Sequence, residues 1–158
     1  MSRKKWAVLG LAAVVAIGSA ILHSSRSDAD TVVDQRRALM KDNAKQMEII
    51  NNFLEKNQGD LPAVTAAAQT IRADAAKIPD LFPQGTSLSD NVGKTGAKPE
   101  IWADFAAFKA AASKLGELAA ATVAAVSAGD KAAIGEAFTV MGKEGCGGCH
   151  QRFRQKLD

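Results

Sequence analysis

The sequence has few of the side chains from which metal sites and disulfides are built. Its 158 residues include two cysteines, two histidines and no tyrosine, and only 5% are aromatic. Two cysteines allow at most one disulfide, and without a second cysteine pair a four-ligand zinc site is excluded. Neither an internal repeat nor the alternating pattern of a β-strand is present. Alanine dominates the middle of the chain, which favours helix, and the length suits one domain.

The first 29 residues have the pattern of an export signal. A basic stretch, Ser2–Lys5, precedes a 17-residue apolar run from Trp6 to Leu22, and a polar stretch follows. Cleavage after Ala29 is predicted, so that residues 30–158 form the mature domain in the periplasm, off the membrane. An uncleaved anchor is the competing interpretation, because 17 apolar residues lie at the short limit for a membrane span.

The net charge of the mature domain excludes one class of partner. Residues 1–29 hold four basic residues and one acidic residue, which leaves sixteen of each sign in the remainder. The high isoelectric point therefore belongs largely to the export segment. Binding to nucleic acid needs a clustered basic surface, and no nucleic-acid partner is predicted.

Apolar spacing predicts an all-α fold, an antiparallel up-down-up-down four-helix bundle. Asp60 and Asp130 suit N-cap positions, and Gly129 suits a helix C-terminus. Between the second and third predicted helices, the Gly- and Pro-rich segment 80–98 is predicted to be a long loop. Its Leu81 and Phe82 are predicted to fold back onto the core or a cofactor. The predicted helices run from about Thr31 to Lys56, from Asp60 to Pro79, from Pro99 to about Ala128, and from Asp130 to about Leu157.

Both cysteines lie in one motif, Cys146-Gly-Gly-Cys149-His150, near the end of the fourth predicted helix. Two thiols three residues apart share a helix face and can add to the vinyl groups of a haem, and the adjacent imidazole can bind the iron. A thioredoxin-like redox pair would follow a strand, and none is predicted. Gly145, Gly147 and Gly148 each disfavour α-helix by roughly 1 kcal/mol, which indicates a close approach of the backbone to the porphyrin.

The second axial position on the iron decides the function. The other histidine, His23, lies in the export segment, so a second imidazole ligand is excluded for the mature chain. In an antiparallel bundle, Met40 on the first helix lies level with His150 on the fourth, whereas Met47 would lie roughly 10 Å further along. Met141 shares the helix of His150 and cannot reach the opposite haem face. Met40 is therefore the predicted distal ligand, and an ordinary core methionine is the alternative.

Four segments give the chain a resemblance to the cytochrome c′ family, and most of all to its low-spin cytochrome c-556 type. Within the last of them, the pattern Cys-x-x-Cys-His-x-x-Phe-Arg is specific, and the others are weaker one by one. Together they span most of residues 30–158 in the family's order. The segments are Leu39–Asn43, Ile78–Pro83, Lys98–Trp102 with Phe108-Lys109, and Cys146–Arg154.

The resemblance implies one covalent haem c near one end of the bundle. Cys146 and Cys149 correspond to the thioether sites, His150 to the proximal ligand, and Arg154 to a residue beside the proximal side of the haem. In the c-556 type the methionine that corresponds to Met40 binds iron, whereas cytochromes c′ proper stay five-coordinate. A basic residue at the position of Arg36 can meet a haem propionate, and a solvated surface arginine is the alternative.

Two functions of different classes follow from these residues. The leading hypothesis is a periplasmic electron carrier, not an enzyme, with His/Met ligation and redox proteins as transient partners. The alternative is a five-coordinate protein that binds nitric oxide or carbon monoxide. Peroxidase activity has little support, because no distal histidine or acid is available. A homodimer is conceivable from small alanine-rich faces on the first two helices, and many members of the family dimerise.

Overall fold

The structure is a computed structural model that describes the backbone of residues 16–157 and the side chains of residues 28–157. Besides the α-helices it contains a single 3-10 turn, Pro79–Leu81, and a π-helical stretch, Met141–Gly147, called the π segment below. The α-helices are α1 (Ala16–Lys56), α2 (Leu61–Lys77), α3 (Glu100–Ala103), α4 (Phe105–Ala128), α5 (Lys131–Val140) and α6 (Gly148–Phe153).

These elements form the predicted four-helix bundle. The helices α1, α2 and α4 supply three of its members, and α5, the π segment and α6 together make the fourth. Within residues 16–157 no strand occurs, and the nearest approach to one is an isolated antiparallel bridge between Ala97 and Arg154. The all-α fold class is confirmed.

Helix α1 is already formed at Ala16, where the described residues start, whereas the sequence predicted a helix from about Thr31. No proline interrupts the chain between Ala16 and Lys56, and an established helix extends at little cost where no breaker stands. Most of the predicted export signal lies outside the described residues, so cleavage after Ala29 remains a prediction. No helix in the described part of the chain is long and apolar enough to cross a bilayer.

The predicted helix ends are confirmed where a capping side chain marks them. The carboxylate of Asp60 accepts a hydrogen bond from the backbone N–H of Ala63 at 2.9 Å. Gly129 adopts a left-handed conformation with φ of 74°, and Asp130 accepts from the N–H of Ala132 at 2.9 Å. These bonds satisfy donors that the first turn of a helix leaves free, which is why the short connections can be predicted from sequence.

Two predicted helices are interrupted. The third begins near Pro99 as predicted, but Asp104 leaves helical conformation (φ −137°, ψ 66°) and caps α4 by accepting from the N–H of Ala107 at 3.0 Å. The fourth was predicted as one helix to about Leu157, which is wrong. It passes through the π segment and ends at Phe153, and Arg154 is extended and pairs with Ala97.

The core is built largely from alanine and branched aliphatic side chains of α2 and α4. Small side chains let the two helix backbones approach closely, so these two helices share the most extensive interface of the bundle. Thr122 is fully buried there and donates its hydroxyl to the carbonyl of Leu118 at 3.0 Å, which satisfies it within the helix. The buried residues of the two helices include Val64, Ala67, Ala68, Ile71, Ala75, Phe108, Ala112, Leu115, Ala119 and Val126.

The long loop is held against one end of the bundle by contacts near both of its own ends. Phe82 folds back onto the core as predicted, with its ring 4.7 Å from that of Phe108 in an edge-on arrangement. The indole N–H of Trp102 donates to the carbonyl of Phe82 at 3.0 Å. Further along, the N–H of Gln155 donates to the carbonyl of Gly96 at 2.8 Å. The loop and the end of the fourth helix therefore close over the same end of the bundle.

Candidate functional site

A cavity of about 610 Å³ lies at the end of the bundle that the loop covers. This volume falls in the range of small-molecule and cofactor sites, roughly 300–1,000 Å³. A second depression, of about 970 Å³, lies at the surface between α1 and α5, and no Cys, His or Met lines it. Residues from all four members of the bundle line the first cavity, together with α3 and the loop. They include Val33, Ile71, Ile78, Phe82, Ile101, Phe108, Leu115 and Phe153.

One side of this cavity, the motif wall, carries Cys146, Cys149 and His150. All three line the cavity and are partly buried. Burial raises the pKa of both thiols, and the neighbouring Cys146 raises that of Cys149 further. Redox-active cysteines show the opposite shift, toward the thiolate, so the thioredoxin-like alternative gains no support. Burial, with a smaller effect of Arg154, lowers the pKa of His150, which favours the neutral imidazole that binds metals.

The π segment sets the position of the motif wall. The N–H of Gly148 reaches back to the carbonyl of Lys143, five residues earlier. Its glycines allow close packing, because a Cβ added at Gly145 would lie 2.9 Å from Cδ1 of Leu115, and one at Gly142 would lie 3.4 Å from Cε of Met47. Such π-helical turns occur often at functional sites. The π segment was not predicted from the sequence. The glycines in and before the motif were the feature of the sequence that could have indicated it.

The opposite side, the α1 wall, comprises Arg36, Met40, Asn43 and Met47. These residues lie three or four positions apart and therefore share one helix face. Both methionines line the cavity and are partly buried, so the separation predicted along the axis does not keep Met47 out of the site. Met141 is completely buried, with Sδ 3.8 Å from the hydroxyl of Thr122, and it does not line the cavity.

Arg36 is buried, with 5% of its surface exposed, so the interpretation as a solvated surface arginine is wrong. Its guanidinium donates to the carbonyl of Leu81 through Nε, to that of Thr86 through Nη1 at 2.8 Å, and to the Thr86 hydroxyl through Nη2. It also lies 4.2 Å from the centre of the Phe82 ring. This contact network, which the sequence did not reveal, joins α1 to the loop.

The charge of Arg36 has no acidic partner within residues 28–157. Burial lowers its pKa to about 10, so the guanidinium stays protonated at neutral pH. Arg37, Lys94 and Arg154 also line the cavity, and no Asp or Glu of the described chain does. A buried cation is stable only when paired or well hydrogen-bonded, so this basic rim suits an anionic group inside the cavity.

Asn43 is a polar residue of the site that the sequence did not single out. It is 8% exposed, and neither its amide nitrogen nor its amide oxygen has a hydrogen-bonding partner among the described residues. An unsatisfied buried polar group costs about 1–3 kcal/mol. No sequence signal marks this property, because it depends on which side chains surround the amide after folding.

The side chains around the cavity fit a covalently bound haem. Two thiols and an imidazole on one wall, thioether sulfurs on the facing wall, apolar sides and a basic rim match a porphyrin with an iron centre and two propionates. Within the described residues, no group of three or more His, Cys, Asp or Glu side chains could hold a metal ion by itself. The donor set is therefore that of a haem c site.

Comparison with known proteins agrees with this fit. Residues 31–154 match the family described as cytochrome C′. A cytochrome c′ of Pararhodospirillum photometricum is 33% identical over 80% of this chain and 98% of its own, and a cytochrome c-556 of Agrobacterium tumefaciens is 36% identical over 78% and 97%. The crystal structure of cytochrome c′ from Thermochromatium tepidum superposes with a TM-score of 0.72 at 29% identity, over 81% and 97% of the two chains.

Proposed function

Because the chain belongs to the cytochrome c′ family, whose members bind one covalent haem c with iron, we propose that it is a periplasmic electron carrier with His150 and Met40 as axial ligands. The observation that carries the proposal is the shared cavity: Met40 lines it from the α1 wall, and the cysteine and histidine side chains line it from the motif wall. When bound, the haem supplies an iron that gains and loses a single electron.

Cys146 and Cys149 hold the cofactor in this proposal. Their thiol groups would hold a haem through thioether bonds to its two vinyl groups, from Cys146 in the π segment and Cys149 in α6. His150 follows directly and directs its neutral imidazole toward the iron as the proximal ligand. Attachment at two points on one member of the bundle limits rotation of the haem and keeps the imidazole in place during turnover.

Met40 decides which reaction the site supports. If Met40 held the haem iron together with His150, its thioether would raise the reduction potential and the site would need little rearrangement when an electron is exchanged. The apolar side chains that line the cavity, such as Ile71 and Phe108, exclude water from the iron. The partners are other redox proteins, met in brief encounters.

In this proposal Arg36 binds a propionate of the haem, and Arg154 lies beside the proximal side of the haem. The Arg36 guanidinium uses three of its five N–H groups on Leu81 and Thr86, which leaves two for a carboxylate in the cavity. Arg154 also lines the cavity and is exposed at its rim. Charge-assisted hydrogen bonds of this kind orient the cofactor and compensate the buried cation.

The domain organisation follows the same proposal. Residues 1–29 direct export and are removed, and residues 30–158 fold around the haem in the periplasm. Both cysteines of the sequence, Cys146 and Cys149, are free in the structure and therefore available for attachment.

A five-coordinate protein that binds nitric oxide or carbon monoxide is the second candidate. Relatives named cytochrome c′ match the chain about as well as those named cytochrome c-556. One structurally similar cytochrome c′, 26% identical with a TM-score of 0.73, has an unusual ligand-controlled dimer dissociation. If Met40 only packs over the iron, the apolar cavity would admit small neutral ligands.

Absorption spectra of the holoprotein in both oxidation states test the choice. The wild type should be low-spin with a methionine-to-iron charge-transfer band, and Met40→Ala should lose that band. Met47→Ala is the matched control, because Met47 lines the same cavity and should leave the band intact. A high-spin wild type would refute the carrier, and loss of the band only in Met47→Ala would move the ligand to Met47.

A further inference from the structure

We propose that the amide of Asn43 is a positioning group for the distal ligand, donating a hydrogen bond from Nδ2 to Sδ of Met40 when that sulfur binds iron. The inference rests on the proposed His/Met ligation and deepens it. Its starting observation is the unsatisfied amide, which is buried beside the cavity without a partner among residues 28–157.

The position of Asn43 on α1 favours Met40 over Met47 as the partner. Asn43 follows Met40 by three residues and precedes Met47 by four, so all three lie on the helix face that lines the cavity. A helical side chain leans toward the N-terminus of its helix and covers the turn before its own Cα. The amide of Asn43 therefore leans toward the turn of Met40, whose sulfur is the proposed iron ligand. The side chain of Met47 leans toward the turn of Asn43 by the same rule, but Met47 is not proposed to bind iron.

Other partners for the amide are scarce in this part of the cavity. The neighbouring turns of α1 and α2 contribute Met40, Met47, Ile71 and Ile78 to the lining, and none of these carries an N–H or O–H on its side chain. A buried water needs two to four polar partners, which such walls do not supply. Three of the five N–H groups of Arg36 are directed to Leu81 and Thr86, at the loop, and the other two are proposed to bind a propionate.

A hydrogen bond from Asn43 would change the iron in a defined direction. Donation to the sulfur withdraws electron density from the ligand, which disfavours Fe(III) more than Fe(II) and raises the reduction potential. If Asn43 made no such hydrogen bond, removal of its amide would only make the site less polar. A less polar site disfavours the more highly charged Fe(III), so the reduction potential would then rise. The sign of the change therefore separates a hydrogen bond to sulfur from a general effect of polarity.

The test compares Asn43→Leu, which keeps the size of the side chain and removes both polar atoms, with Asn52→Leu. Asn52 lies on the same helix and does not line the cavity. In spectroelectrochemical titration of the holoprotein, Asn43→Leu should shift the Fe(III)/Fe(II) equilibrium three- to tenfold toward Fe(III), a fall of about 28–59 mV for one electron. Its affinity for added imidazole should rise by a similar factor, because Met40 is held less firmly.

Each outcome bears on a different statement. A potential that is unchanged or higher in Asn43→Leu, with the methionine band intact in the wild type, overturns the role of Asn43 and leaves the proposed function standing. A wild type without the methionine band overturns both. Equal shifts in Asn43→Leu and Asn52→Leu would also refute the inference, since a general change in α1 would then explain them.

Discussion

The two walls of the cavity are specified in different ways. On the motif wall, the reactive side chains fall within five consecutive residues, 146–150, so a short stretch of sequence identifies the cofactor. On the α1 wall, the residues are spread over positions 36–47 and are selected only by their helix face. The attachment chemistry is thus encoded locally, whereas the behaviour of the iron depends on dispersed residues with ordinary identities.

The largest effect is expected on the motif wall, from Cys149→Ala. Removal of one thiol abolishes one of the two thioether bonds, so a pyridine haemochrome assay should show a lost or altered thioether signature. Met40→Ala, on the α1 wall, serves as the control and should keep the wild-type signature. An unaltered signature in Cys149→Ala would refute covalent attachment at this residue.

The next effect lies on the α1 wall, from Arg36→Met. This change removes three hydrogen bonds and leaves the carbonyls of Leu81 and Thr86 without their donor. The free energy of unfolding of the holoprotein in guanidinium should fall by roughly 2–3 kcal/mol. Arg72→Met is the control, because Arg72 is exposed on α2 and does not line the cavity, so its loss should stay within about 0.5 kcal/mol. Equal losses would show that burial of Arg36 contributes nothing.

A smaller effect is expected in the π segment, from Gly145→Ala. The added methyl group meets Cδ1 of Leu115 at 2.9 Å, so the Leu115 side chain must shift within the packed interface, at a cost of about 1 kcal/mol in thermal or chemical unfolding. Gly135→Ala is the control in the same member of the bundle. Its nearest neighbour is Cδ2 of Leu54 at 3.8 Å, so it should stabilise the fold by about 0.5–1 kcal/mol. If Gly145→Ala left the free energy of unfolding unchanged, the packing of the π segment against Leu115 would not limit stability.

The smallest effect concerns acid stability beside the motif wall, where Asp104 accepts from Ala107 and from Nη2 of Arg152 at 2.7 Å. The backbone hydrogen bond and then Arg152 lower the pKa of Asp104. A lowered folded-state pKa gives stability that is complete above the unfolded value, about 3.9, and is lost as the pH falls through the folded value. The melting temperature of the wild type should exceed that of Asp104→Asn at pH 6, and the gap should close near pH 3. A gap that does not change with pH would contradict this account.

Much of the fold could be predicted from sequence because its signals are local. Asp60, Gly129 and Asp130 end or begin helices through their own side chains or backbone, and the apolar spacing of α1 and α4 gives the bundle. The start of α1 was predicted too late because residues 16–29 were assigned to the export segment. The break at Asp104 was missed because a polar residue inside an apolar pattern is compatible with a continuous helix.

The candidate site was predicted only in part, for physical reasons. The cysteine and histidine motif and Met40 stand out by residue type and spacing, and all of them line one cavity. The environment of Arg36 depends on loop residues more than 40 positions away, and the unsatisfied amide of Asn43 exists only once its neighbours are packed. Met47 also lines the cavity, because the cavity extends along α1 beyond the level of Met40. The prediction compared axial distances only and assumed a site at one level of the bundle.

The π segment makes residue number, as well as residue type, a determinant of the site. In an α-helix each residue turns the chain by about 100°, so the phase of everything after Met141 depends on how many residues are wound into the wider turns. Removing one residue between Met141 and Gly145 while the wider winding persisted would rotate Cys146, Cys149 and His150 together by nearly that angle, away from Met40. Exchange of this stretch with a related chain therefore has to preserve its length before it preserves its sequence.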